Sequence, residues 1–102
     1  MRITEYSGLD PTNPVDATSF NSGTTNNATS GSVTTTAANT LLFAAGMTLG
    51  NYGNATGGFT TRVLTQPNLD IVADRVVNTV GTYEATAPVT GTWLMQLVAF
   101  RA

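Results

Sequence analysis

Gly, Pro and Asn punctuate this chain so densely that no apolar pattern runs long enough, at a 3.6-residue period, to build a helix of useful length. The segments between these breaks are short and rich in β-branched or aromatic residues. Residues 59–64, 71–77, 81–87 and 92–100 each read as a strand. A chain of this kind closes its backbone hydrogen bonds between segments. The expected fold is therefore all-β, an antiparallel sandwich of jelly-roll or immunoglobulin-like type. At 102 residues it fits one domain spanning 1–102, because a second core would leave each too small.

Alternation assigns faces to these strands. In residues 33–49, Leu41, Phe43, Ala45, Met47 and Leu49 share one side, and Leu42, Ala44, Gly46 and Thr48 the other. The large side is expected to point into the core of a central strand. In 71–77, Ile71, Ala73 and Val77 oppose Val72, Asp74 and Val76; in 81–87, Tyr83, Ala85 and Ala87 oppose Thr82, Glu84 and Thr86. Residues 92–100 are apolar on both faces and read as a central strand. Residues 3–9 read as a strand ended by Asp10-Pro11-Thr12-Asn13-Pro14. Residues 15–32 are small and polar with Phe20 the only large apolar side chain, and read as a loop crossing one end of the sandwich or as thin strands held by neighbours; the loop is favoured. Gln66-Pro67-Asn68 is expected to end the strand before it.

Composition narrows the function. All four basic residues are arginines and the net charge is −2, so the clustered cations of a nucleic-acid surface are missing. There is no apolar stretch near the ~20 residues of a membrane-spanning helix, and membrane insertion is not expected. With no Cys, disulfides, thiolate catalysis and Cys-based zinc sites are all excluded. His and Lys are also absent, which leaves carboxylates and tyrosines for proton transfer.

The acids Glu5, Asp10, Asp16, Asp70, Asp74 and Glu84 stand singly, and Asp74 reads as the partner of Arg62 or Arg75 on a sheet surface. The loop aspartates read as plain Asx turns rather than a calcium site. Ser7 has no base to take its proton, and no Gly-x-Ser-x-Gly elbow occurs. The expectation is a protein that is not an enzyme and needs no metal or cofactor. A pair of carboxylates brought together by folding, as in a glycosidase, is the remote alternative. Trp93 lies in an apolar strand and reads as core. Ligand contact falls to Tyr52, set between Gly50 and Gly53 in a polar loop, and then to Tyr6 and Tyr83. Aromatic rings on an exposed face would suit a glycan.

Several motifs occur in order along most of the chain: Glu5-Tyr6-Ser7-Gly8, Pro14-Val15-Asp16, the run from Val33 through Leu42, Gly58-Phe59-Thr60, Asp74-Arg75-Val76-Val77, Gly81-Thr82-Tyr83-Glu84-Ala85-Thr86, and Trp93 through Phe100. Together they resemble the C-terminal portion of a recurring β-sandwich module of large secreted bacterial proteins. The resemblance implies a sandwich fold and a secreted or cell-surface location, with the export signal outside this chain. It implies no particular activity. Similar modules carry further β-structure ahead of the first motif, so sheet edges and one apolar face are expected to be open here. Such surfaces invite self-association, and a symmetric homodimer is expected. The function expected is a noncatalytic structural or adhesive module, with a carbohydrate-binding module and a viral decoration or receptor-binding jelly roll as alternatives.

Overall fold

A computed structural model describes residues 4–65 and 70–102. Nine strands and no helix occur among them: β1 (Val15–Gly23), β2 (Asn27–Thr29), β3 (Val33–Thr34), β4 (Thr40–Thr48), β5 (Thr60–Leu64), β6 (Ile71–Val77), β7 (Thr82–Tyr83), β8 (Thr86–Pro88) and β9 (Trp93–Arg101). The all-β antiparallel sandwich is the observed class. One layer is a five-stranded antiparallel sheet in the order β1-β9-β4-β6-β5. Its centre is β9 and β4, the two longest apolar runs in the chain.

The second layer is assembled from short pieces. β2 pairs with β8 and β3 with β7, and bridges from Tyr52 to Val89 and from Thr56 to Thr86 add residues 52–56 on the far side. Between β2 and β3 the ladder is interrupted at Ser30 and Gly31. The Ser30 hydroxyl there accepts the Ala85 amide at 3.0 Å, replacing a backbone carbonyl, and Gly31 takes a positive φ of 76° that favours glycine. The interior lies between the layers and takes Leu42, Ala44, Ile71, Met95 and Leu97 from the large sheet with Ala28, Tyr52, Ala85 and Ala87 from the small one.

Several expectations change. Residues 15–32 are not a loop: β1 occupies half of them and pairs along its length with β9. Its polar composition suits an edge strand, where one side and one face meet water. Residues 4–9, expected to be part of a strand, join no ladder. Residues 33–49 are broken after β3 by a turn in which Asn39 adopts a φ of 59° and Thr40 donates its hydroxyl to the Ala37 carbonyl. The proposed stop at Gln66-Pro67-Asn68 lies outside the described residues.

The largest change concerns β4, whose faces are inverted. Leu42, Ala44, Gly46 and Thr48 point inward, and Phe43, Ala45 and Met47 point out. Bulk on the inner side comes also from Tyr52, Phe59, Trp93 and Met95, and Tyr52 lies so close over position 46 that only glycine fits there without a shift.

Candidate functional site

The outward face of the five-stranded sheet is the feature that the sandwich does not account for. Strand register arranges its side chains in cross-strand rows. Ser22 on β1 stands beside Leu94 on β9 and Met47 on β4. The next row is Phe20, Gln96, Ala45 and, on β6, Val72. The third is Thr18, Val98, Phe43 and Asp74. None of the side chains in the first two rows carries a charge. Leu49 is 81% exposed, Phe20 75%, Met47 61% and Leu94 37%, values far above those of core residues of the same types.

The opposite end of this face is covered. Residues 4–9 run over β4 and β6, so that Tyr6, Ser7, Gly8 and Leu9 face Leu41 and Val76 across a cavity of about 250 Å³. Tyr6 anchors the crossing with its ring edge-on to Phe43 at 6.0 Å between centroids and its hydroxyl donating to Asp74 at 2.7 Å. Beyond it, the Asp10 amide donates to the Arg101 carbonyl at 2.9 Å, which ties the segment to the end of β9. The Asp10 carboxylate accepts the amides of Thr12 and Asn13, turning the chain into β1.

Asp74 is 4% exposed, and burial pushes its carboxyl upward most strongly of any single influence. Two hydrogen bonds from Arg62 at 2.9 Å and one from Tyr6 outweigh that, and the group ends below the usual carboxylate range. Burial and the adjacent Asp74 raise the Tyr6 phenol. The ion pair closes the covered end of the face with no net charge.

Asp16 and Asp70 tie distant segments of the fold together. Asp16 accepts the amide and hydroxyl of Thr36 and an Arg101 guanidinium hydrogen bond, and these donors, Thr36 first, lower its pKa. Asp70 accepts the Thr48 amide at 3.1 Å. No group of three or more acidic side chains that could hold a metal ion forms among the described residues.

No known protein family, curated protein or solved structure matches this chain.

The three tyrosines selected from the sequence do not come together. Tyr52, expected at the surface of its loop, is 1% exposed; its ring fills the core and its hydroxyl donates to the Leu94 carbonyl at 2.8 Å. The flanking glycines allow the backbone to approach the second layer, and a methyl group on Gly53 would sit 2.9 Å from the Pro88 ring. Tyr6 lies on the outer face, committed to Asp74. Tyr83 lies on β7 in the other layer, with the Arg75 guanidinium 5.2 Å above its ring. Trp93 is buried as expected, its indole N–H donating to the Thr25 carbonyl at 3.1 Å. The residues that reasoning from sequence missed are Phe20, Met47, Leu49 and Leu94. For Met47 and Leu49 the signal was present in the alternation of residues 41–49, with the face correctly grouped and the direction reversed.

Proposed function

We propose that this chain is a noncatalytic structural or adhesive module of a secreted or surface protein, and that it works through the outer face of its five-stranded sheet. The observation carrying this reading is the exposure of Phe20, Met47 and Leu94 on adjoining positions of one sheet face, with Leu49 beside them just past the end of β4. Soluble monomers rarely leave contiguous apolar patches larger than a few hundred Å² bare, and larger ones mark interaction sites. The patch stands on β1, β9 and β4, which pair with one another along their lengths. The missing His, Lys and Cys and the structural use of Asp10, Asp16 and Asp74 support a role without turnover. A composition dominated by small polar residues with only 10% charged supports the extracellular setting.

The test is a hydrophobic dye such as bis-ANS. The folded chain should take it up, and Met47→Glu and Leu94→Glu should remove most of that uptake while the thermal transition stays cooperative. Dye uptake equal in all three proteins would defeat the proposal.

A further inference from the structure

We propose that the space beneath residues 4–9 is a binding site for a small neutral aromatic compound that carries one amide or hydroxyl group. The site shares no lining residue with the patch around Met47 and Leu94, so it stands or falls apart from the function proposed for that patch.

Strand register lays out the floor. Leu41 on β4 is paired with Val76 on β6, and both side chains lie on the outer side of the sheet, where they line the cavity. The last rung of this ladder is Thr40 with Val77, and the register continued one step brings Asn39 opposite Asn78. The apolar floor therefore ends in two carboxamides, and both line the cavity. Asn39 reaches that position by turning its backbone to a φ of 59°, a conformation that costs a non-glycine residue something and is tolerated by asparagine. At the other end stands Tyr6, held edge-on to Phe43 and hydrogen-bonded to Asp74. Ser7, Gly8 and Leu9 run overhead.

Size sets the first limit on the ligand. The cavity measures about 250 Å³. An apolar cavity of about 150 Å³ is enough for benzene, so this one admits a six-membered ring with one substituent and little more. The four residues from Phe43 back to Asn39 span about 13 Å of strand, which, less the thickness of the Tyr6 ring and of the amides, is the length of such a molecule.

The walls set the chemistry. Leu9, Leu41 and Val76 favour an apolar ring. No side chain lining the cavity carries a charge, so a charged ligand would leave water without gaining an opposite charge. Asn39 and Asn78 each present an NH2 donor and a carbonyl acceptor, and an amide or hydroxyl on the ring meets a partner there. A bare hydrocarbon would set both amides against carbon. Val76 is 69% exposed, which marks the β6 side as the way in, because the overhead segment does not close there.

Methyl-labelled protein titrated with benzamide should show saturable NMR shifts of the Leu9, Leu41 and Val76 methyls, with a Kd on the order of 1 mM, as suits a ligand of about nine non-hydrogen atoms in a half-open site. Benzoate at neutral pH should bind at least about tenfold more weakly, and toluene about fivefold more weakly. Val76→Trp changes an exposed residue, should fill the cavity and should abolish the shifts of Leu9 and Leu41 while the thermal transition stays cooperative. Asn78→Ala should weaken benzamide about fivefold and leave toluene unchanged, and this pair of titrations decides if Val76→Trp does not fold. No saturable shift up to about 20 mM overturns the site, as do shifts centred on Met47 and Leu94 or binding unchanged in Val76→Trp. Equal affinities for benzamide, benzoate and toluene, or benzamide binding untouched by Asn78→Ala, overturn the ligand class.

Discussion

The Tyr52 hydroxyl crosses the inner face of β4 directly over Gly46: a methyl group at that position would sit 2.6 Å from the phenol oxygen and 3.0 Å from Ile71 Cγ2. The same hydroxyl donates to the Leu94 carbonyl at 2.8 Å, so the ring has no slack with which to move away. Gly46 on the inner face of β4 is thus the imprint of a large residue arriving from a loop, while Phe43 and Met47 of the same strand point outward.

Gly46→Ala should accordingly destabilise the fold by about 1–3 kcal/mol, the usual cost of overpacking a core. Thermal denaturation would register this as a fall in Tm of several degrees. Tyr52→Phe removes the nearest atom, and in that background the cost of Gly46→Ala should shrink. Equal costs in the two backgrounds would show that the phenol oxygen is not what restricts position 46.

The strands that formed as the sequence indicates were those whose own side chains suffice to define them. Ile71–Val77 is such a case, with the alternation of Ile71, Ala73 and Val77 visible and realised. β9 was legible for the same reason. What could not be read was set by partners distant in sequence. β1 has little apolar character and exists because β9 supplies a ladder for it. The direction of β4 depends on Tyr52, and the burial of Tyr52 depends in turn on the bridge to Val89. Local alternation tells which residues share a face, but only the layers tell which face is inside.

Acid should weaken the molecule through Asp16 and Asp74. Both have folded-state pKa values lowered below the ordinary value, so each contributes stability above the unfolded pKa of about 3.9 and loses it as pH falls through the folded value. Tm should be flat from about pH 7 to 5 and fall below about pH 4. Asp74→Asn should lower Tm at neutral pH and flatten the acid limb, since that carboxylate no longer titrates. An unchanged acid limb in Asp74→Asn would show that its ion pair with Arg62 adds nothing to the linkage.

The alkaline limb has the opposite sign and a different residue. Burial first, and then the charge of Asp70, push the Tyr52 phenol up to about 12. The neutral phenol is favoured in the folded state, so its contribution is complete below the unfolded pKa of about 10 and is lost as pH rises from there through about 12. Two units correspond to roughly 2–3 kcal/mol. Tyrosinate absorbance of Tyr52 should lag the ordinary tyrosine titration near pH 10 and appear only toward about pH 12, and Tyr52→Phe should show a shallower alkaline decline than the parent protein. Parallel declines would contradict the burial of the hydroxyl as the source.

Tyr6 sets how much of the outer face is bare. Its ring contact with Phe43 and its hydrogen bond to Asp74 hold residues 4–9 over Leu41, which is 7% exposed although it shares the outward side of β4 with Met47 at 61%. The difference between those two values is the work of the covering segment, since strand position alone would expose both. Tyr6→Phe keeps the ring contact and should cost about 0.5–1.5 kcal/mol with little change in dye uptake. Tyr6→Ala removes both anchors, should free the segment and should raise bis-ANS uptake above that of the parent, because Leu41 and Phe43 then join the patch formed by Met47 and Leu94. Uptake that rises equally in the Phe and Ala variants would place the anchor in the hydrogen bond alone, and uptake unchanged in both would show that the segment is held elsewhere along its length.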